Sequence, residues 1–153
     1  MGPGLRKFRQ TLSRFSKIAL DSSCFIYQIE ENQKYVELTK VIFEELLSNN
    51  KIKALGSTLI ITEILTKPYH HNRQDLVLDY KDLILNLPNF STFAPEERIC
   101  DDAALIRAKY NFRTPDAIHI ATAIEENASA IIGNDKKWQK VKEIKTIILE
   151  DFA

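Results

Sequence analysis

Four acidic residues stand where elements of the chain begin or end, and their carboxylates are suited to binding a metal ion. Asp21 and Asp135 follow short apolar runs, whereas Glu63 and Asp116 stand in the early turns of predicted helices. Four converging carboxylates repel one another unless a cation neutralises them, and all-oxygen ligation suits Mg²⁺ or Mn²⁺. One or two such ions, about 4 Å apart if paired, can activate water and stabilise the leaving oxygen of a phosphodiester.

Each of these acids also has a purely local explanation. Asp21 precedes two serines at which a helix can begin, so it can serve as an N-cap. Asp116 can compensate a helix dipole, in a helix that Thr114 would cap and Pro115 would open. Glu63 can be an ordinary surface residue, although an acid among Ile and Leu is more often paired or functional. Recurrence at four such positions favours a common site.

Apolar periodicity predicts the elements that carry these acids. Short apolar runs indicate strands at 18–20, 52–55, 89–94, 130–132 and 146–149. Helical spacing indicates helices at 34–49, 59–65, 75–87, 95–110 and 115–124, with segment 67–73 breaking the second of them. Strands alternating with helices predict an α/β/α sandwich, with a central, mostly parallel sheet of about four or five strands, in one domain spanning residues 17–153. Ligands of such sheets bind outside the carboxyl ends of the strands.

Residues 1–16 precede this domain as a basic, amphipathic extension. The first 17 residues hold no acid, and their apolar residues recur at helical spacing, namely Leu5, Phe8, Leu12 and Phe15. Such a helix can contact RNA or an anionic surface, or it can pack its apolar stripe on the domain and leave its charges in water. We favour the packed arrangement.

Composition excludes several classes of protein. The net charge is zero and the pI is near 6.8, so any basic patch that attracts nucleic acid must be local. No apolar run has the length that spans a bilayer, and the N-terminal segment lacks the apolar region of a signal peptide. Cys24 and Cys100 are flanked by apolar residues, which predicts buried free thiols in a reducing compartment. We therefore expect a cytoplasmic protein with no membrane association.

Four short motifs around the acids resemble those of a known family. They are Leu20-Asp-Ser-Ser23, Ile61-Thr-Glu-Ile64, Thr114-Pro-Asp-Ala-Ile-His-Ile-Ala-Thr-Ala123 and Ile132-Gly-Asn-Asp-Lys-Lys-Trp138. In this order and spacing they resemble the motifs of the PIN-domain family, in particular its ribonuclease toxins of VapC type, over residues 17–150. The sequence departs from the family pattern at Gly133, where Thr is usual, and in its longer basic N-terminal segment.

The resemblance implies a role for each candidate residue. The catalytic metal ligands would be Asp21, Glu63, Asp116 and Asp135, with Mg²⁺ or Mn²⁺ as the cofactor. The substrate-binding residues would be Ser23, Lys67, Arg113, Asn134, Lys136 and Lys137. Among these, the Ser and Asn would orient a carboxylate or water, and the basic residues would contact phosphate. The protein would be a metal-dependent endoribonuclease with RNA as substrate, a toxin neutralised by a small antitoxin, and a homodimer.

Three other functions are compatible with parts of this pattern. A PIN-like domain can bind RNA or act as a scaffold with weak or no catalysis, but a degenerate site usually loses an acid and here all four are present. A housekeeping RNA-processing nuclease would share the same site chemistry, so the sequence leaves that alternative open. A phosphatase of haloacid-dehalogenase type needs a second Asp two residues after the first, and the Ser at position 23 excludes it.

Overall fold

Short apolar segments form a sheet of five parallel strands. The computed structural model describes residues 2–153, in which the strands are β1 Lys17–Leu20, β2 Lys53–Ser57, β3 Phe90–Phe93, β4 Ala130–Gly133 and β5 Lys145–Ile148. Every neighbouring pair is parallel, and the order across the sheet is β3-β2-β1-β4-β5. The predicted parallel sheet of four or five strands is confirmed.

Helices connect the strands and cover both faces of the sheet. In chain order they are α1 Pro3–Leu12, α2 Ser22–Ile29, α3 Val36–Lys40, α4 Leu59–His70, α5 Gln74–Asn86, α6 Glu97–Tyr110 and α7 Thr114–Glu125. A π-helical stretch, Val41–Leu47, continues α3, and 3-10 turns at Lys136–Lys140 and Leu149–Phe152 follow β4 and β5. None of the helices within residues 2–153 combines the length and the apolar character that crossing a membrane requires.

Alternate residues of the central strands face opposite layers of helices. In β1, Ile18 and Leu20 belong to a first apolar core with residues of α1 to α5, whereas Ala19 belongs to a second core with residues of α6 and α7. In β4, Ile132 and Ile131 divide in the same way. Because side chains alternate along a strand, one sheet serves two cores, and the predicted α/β/α sandwich is confirmed.

Several predicted helix boundaries differ from the structure, most of all around Pro68 and at residues 34–49. The predicted break at 67–73 is wrong for its first half, because α4 continues through Pro68 and ends at His70. Pro68 lies near the end of the helix, where its missing N–H removes only one late backbone hydrogen bond. The predicted helix at 34–49 is shorter, since α3 begins at Val36 and the π-helical stretch ends at Leu47.

The two cysteines occupy different environments. Cys24 is buried, as predicted, but Cys100 is exposed, so the prediction of a buried thiol there is wrong. Helix α6 buries Ile99, Ala103 and Ile106, which share one face, and Cys100 lies beside that face. Both thiols are free, so no disulfide joins them.

Helix α1 packs its apolar stripe on the domain and shares the first core. Phe8 and Leu12 are 0% and 1% exposed, and the Phe8 ring meets Phe152 edge-on at a centroid distance of 5.2 Å. Arg9 donates two hydrogen bonds to the Glu45 carboxylate, at 2.8 Å from Nε and 2.5 Å from Nη2. The packed arrangement favoured from the sequence therefore describes this helix.

Replacing Leu12 by Ala tests whether α1 stabilises the domain. Leu12→Ala is expected to lower the free energy of unfolding by about 2–5 kcal/mol, through lost burial and a residual cavity. Leu85→Ala is the matched control, because Leu85 is 79% exposed and its change is expected to stay within about 0.5 kcal/mol. Urea denaturation followed by circular dichroism measures both. Equal effects of the two substitutions would contradict a packed α1.

Candidate metal centre

Asp21 and Asp135 reach the same edge of the sheet because β1 and β4 are neighbouring parallel strands. Leu20 is paired with Ile132, and the Asp21 N–H donates to the Ile132 carbonyl at 2.9 Å. The chain passes from β1 to β2 and β3 on one side and later returns to β4 on the other. The strand order therefore reverses here, and ligands of open parallel sheets bind at such a point.

Both carboxylates also cap the helical turns that follow them. Asp21 precedes α2 and accepts the Ser23 N–H at 3.4 Å, and Asp135 precedes a 3-10 turn and accepts the Lys137 N–H at 3.0 Å. The capping explanation for Asp21 is therefore correct. It is compatible with a metal site, because an ionised carboxylate has about four acceptor positions.

Glu63 and Asp116 enter from helices on opposite faces of the sheet. Glu63 lies in α4 before the buried Ile64, and Asp116 lies in the first turn of α7 before the buried Ala117. The apolar residues of α4 belong to the first core and those of α7 to the second. The two acids can approach one another only beyond the carboxyl ends of the strands, where the sheet no longer separates the layers.

All four acids line one cleft of about 410 Å³ at this edge. The other residues that line it are Ser22, Ser23, Tyr27, Arg113, Asn134, Lys136 and Trp138. The cleft thus also holds four of the six predicted substrate-binding residues, namely Ser23, Arg113, Asn134 and Lys136. The remaining two lysines lie elsewhere.

Lys67 and Lys137 lie outside the cleft for different reasons. Lys67 is one helical turn after Glu63 in the continued α4, about 6 Å further along the axis, and its ammonium lies 3.6 Å from the Glu30 carboxylate. Lys137 has an exposed side chain and donates its backbone N–H, not its ammonium, to Asp135. The lining of the cleft therefore does not support the predicted phosphate contacts of these two lysines.

Arg113 is a movable cation at the rim of the cleft. It is the N-cap of α7, which begins at Thr114, one residue earlier than predicted. Its Nε lies 3.2 Å from the Asp116 carboxylate, and its side chain is 82% exposed. Such an exposed ion pair contributes about 0–1 kcal/mol, so Arg113 can leave Asp116 for another anion at little cost.

Asn134 is a fixed part of the cleft wall. Its Nδ2 donates to the Tyr27 hydroxyl at 3.0 Å, and its Oδ1 accepts the Glu150 N–H at 2.8 Å. The Tyr27 ring in turn stacks on Tyr35, with ring centroids 4.5 Å apart. Because both the oxygen and the nitrogen of its amide form hydrogen bonds within the protein, Asn134 stabilises the part of the cleft that lies beside Asp135.

His119 is the residue of this site that sequence reasoning missed. It is buried in α7, and its Nε2 lies 2.5 Å from Glu63 Oε1. Asp21, Glu63 and His119 each offer a ligand atom within 4.8 Å of the others. The available signal was the spacing, because His119 is three residues after Asp116 and so lies on the same side of the helix.

The pKa shifts reflect this crowding of charge. Burial raises the pKa of Asp21, and the nearby His119 offsets that increase only in part. Partial burial alone would raise the pKa of Glu63, but the hydrogen bond and the charge of His119 hold it below its ordinary value. Burial alone would lower the pKa of His119, but Glu63, Asp21 and Asp116 raise it.

A divalent cation fits the chemistry of this donor set. Asp21 and Glu63 lie within the group of donors that spans 4.8 Å, and Asp116 and Asp135 line the same cleft. Burial opposes ionisation of Asp21, and a cation of charge two would restore it. Carboxylates outnumber the single imidazole, which favours Mg²⁺ or Mn²⁺ over zinc.

Trp138 explains why glycine stands at position 133. A Cβ built on Gly133 would lie 3.3 Å from Cζ3 of Trp138 and 3.4 Å from Cβ of Asp21. Trp138 is 2% exposed, so its ring has little freedom to move away. The Trp138 ring therefore occupies space that the side chain of a Thr at position 133 would need.

The comparisons with known proteins agree with this architecture. The sequence model of the PIN domain matches residues 18–144. No curated protein sequence matches the chain. Two solved structures are similar over 86% of the chain.

The first similar structure is VapBC2 from Rickettsia felis bound to a DNA fragment from its promoter, with a TM-score of 0.66, 12% identity and 98% of that chain covered. The second is a toxin-antitoxin complex from Klebsiella pneumoniae, with a TM-score of 0.60, 15% identity and 97% of that chain covered. At these identities the likeness shows the fold alone.

Replacing Asp21 by Asn tests the electrostatic cost of the site. Because the folded protein raises the pKa of Asp21, ionised Asp21 lowers stability at neutral pH. Asp21→Asn is therefore expected to raise the Tm in EDTA by a few degrees and to abolish most of the further rise that Mn²⁺ gives to wild type. Differential scanning calorimetry measures both, with Asp101→Asn on the exposed surface of α6 as control. A lower Tm of Asp21→Asn in EDTA would contradict this electrostatic cost.

A double-mutant cycle tests the pairing of Gly133 with Trp138. Gly133→Thr is expected to destabilise the protein by about 1–3 kcal/mol, because the added atoms crowd the indole ring. Trp138→Phe removes the outer part of that ring, so the double variant is expected to lose at least about 0.5 kcal/mol less than the sum of the two single losses. Chemical denaturation of the four proteins gives the coupling, and strict additivity would disprove it.

Proposed function

The chain belongs to the PIN domain family, and we propose that it is a metal-dependent endoribonuclease that hydrolyses phosphodiester bonds of RNA. PIN domains are generally nucleases, which supports a hydrolase. The observation that carries the proposal is the meeting of Asp21, Glu63, Asp116 and Asp135 in one cleft at the switch point of the sheet. Mutual repulsion of four carboxylates destabilises the folded protein, so such a cluster is explained better by a function than by a structural role.

The four carboxylates would hold Mg²⁺ or Mn²⁺. When bound, such an ion supplies Lewis-acid chemistry, which activates water and stabilises charge on the phosphate and the leaving oxygen. The carboxylates themselves bind the ion, and one of them accepts the proton of the attacking water. Asp21 and Glu63 both belong to the group of donors whose ligand atoms lie within 4.8 Å of one another.

Two cations at the rim would hold the RNA backbone. Arg113 and Lys136 line the cleft, with side chains 82% and 64% exposed. Arg113 can exchange its weak pair with Asp116 for a phosphate oxygen, to which a guanidinium can bind through two N–H groups. Ser23 also lines the cleft, and its buried Oγ has no hydrogen-bond partner within residues 2–153, so it is available to orient a carboxylate or water.

A protein partner is part of the proposal. One of the similar structures is a VapBC complex and the other is a toxin-antitoxin complex, which supports a toxin that a cognate antitoxin neutralises, acting in the cytoplasm. Helix α5 exposes Leu78 and Leu85 by 66% and 79%, and these residues lie two turns apart on one face. This face suits either the helix of an antitoxin or a second copy of the chain in a homodimer.

RNA cleavage by purified protein tests the nuclease. Wild type with Mg²⁺ or Mn²⁺ is expected to cleave a mixed structured RNA, and EDTA is expected to stop cleavage. Asp116→Asn is expected to lower the rate by about 100-fold or more, because it removes a charge from the site. Asp101→Asn is the matched control, since Asp101 is exposed on α6 and does not line the cleft.

Two outcomes would overturn the nuclease. Cleavage that persists unchanged in Asp116→Asn would assign the activity to something other than this cleft. No cleavage by well-folded wild type that still binds RNA would favour the alternative of an RNA-binding domain. A housekeeping nuclease would give the same result in this assay. Co-purification of a small antitoxin with the chain would distinguish a toxin from a housekeeping nuclease.

A further inference from the structure

We propose that His119 is a positioning residue, whose Nε2–H holds the Glu63 carboxylate in the cleft in the orientation that binds the cation. This inference rests on the proposed metal-dependent function and assigns a role to a residue outside the four acids. His119 acts through Glu63 and does not itself bind the ion.

The direction of control follows from burial. The His119 side chain is 2% exposed and the Glu63 side chain is 36% exposed. His119 is fixed by its surroundings, with its ring centroid 6.4 Å from that of the buried Trp138. Glu63 has a flexible side chain that loses rotamer freedom when it is ordered. The rigid imidazole therefore fixes the orientation of the flexible carboxylate, and it does so already in the metal-free protein.

The donor must be His119. A glutamate carboxylate is ionised at neutral pH and then only accepts hydrogen bonds. The proton between the two groups then belongs to Nε2. Both the neutral Nε2–H tautomer and the imidazolium carry this proton, so the hydrogen bond survives either protonation state.

The same contact favours a hydrogen bond over direct ligation by Nε2. Two atoms that bind one ion at neighbouring octahedral positions, each about 2.1 Å from it, lie about 3 Å apart. The Nε2–Oε1 separation is 2.5 Å, a short hydrogen bond that is closer than the spacing of two ligand atoms on one ion. A protonated Nε2 also has no lone pair for a metal. Glu63 retains its other lone pairs for the ion.

Packing alone does not account for a histidine at this position. Nδ1 of His119 is buried and has no hydrogen-bond partner within residues 2–153. A buried polar atom without a partner is costly, and an apolar side chain of similar size would avoid that cost. A Leu at position 119 would lack the hydrogen bond to Glu63, so this bond accounts for the histidine.

Mn²⁺ affinity of the full chain tests the inference without reference to catalysis. His119→Leu keeps the volume but removes the donor, and it is expected to weaken Mn²⁺ binding about 10–100-fold in isothermal titration calorimetry. His119→Gln keeps an N–H donor and is expected to recover most of the affinity. Thr122→Val is the matched control, because Thr122 is buried in the same helix and its hydroxyl bonds only locally, to the Ile118 carbonyl at 2.7 Å. This control is expected to bind Mn²⁺ as wild type does.

A spectroscopic readout separates positioning from ligation. Electron spin echo spectra of Mn²⁺ bound to wild type are expected to lack the coupling of a directly bound imidazole nitrogen, and its presence would overturn the inference. If His119→Leu does not fold, His119→Asn replaces it, because its amide is too short to reach Glu63. A folded variant without the donor that binds Mn²⁺ as tightly as wild type would also overturn the inference.

The outcomes distinguish this inference from the proposed function. Wild type that binds Mn²⁺ but does not cleave RNA would overturn the nuclease and leave the role of His119 to be decided by the affinities. Unchanged affinity in a donor-free variant, together with normal metal-dependent cleavage by wild type, would overturn only the role of His119. Wild type that binds no Mn²⁺ would overturn both.

Discussion

The concentration of negative charge at one sheet edge is the constraint on which the rest of the site depends. Asp21, Glu63, Asp116 and Asp135 line a single cleft, and burial of Asp21 opposes its ionisation. His119 and the rim cations offset part of this repulsion, but His119 is already committed to Glu63. The remaining imbalance favours binding of a divalent cation and is tolerated because the two apolar cores stabilise the sandwich around it.

The sequence predicts the features of this site that depend on local pattern. Asp21 and Asp135 follow short apolar runs that predict strands, and parallel strands place such residues at a shared edge. The five-stranded parallel sheet follows from strands that alternate with helices. Asp116 follows from its place in a first turn, because Pro115 marks the start of that helix. In each case a rule that spans a few residues fixes the position.

Other features depend on contacts that no local pattern contains. His119 and Glu63 are 56 residues apart in the chain, and each alone is typical of an ordinary helix. Lys67 was expected to contact phosphate because it flanks the acidic edge in sequence, whereas α4 continues through Pro68 and places Lys67 a turn beyond Glu63. Cys100 is flanked by apolar residues in sequence, but the periodicity of α6 places it off the buried face. Tertiary packing decides the first two features, whereas the helical periodicity of α6 decides the third.

The hydrogen bond between His119 and Glu63 joins the two helical layers at the place where the sheet ends. Helix α4 packs in the first core and α7 in the second, and the sheet separates them over most of their length. Their polar side chains therefore meet only beyond the carboxyl ends of the strands. The separation between Glu63 and the acids of the opposite layer is set by how both helices pack, through residues such as Ile60 and Ile120. A shift of either helix in its own core consequently changes the geometry of the candidate metal site, even when no residue of the cleft is altered.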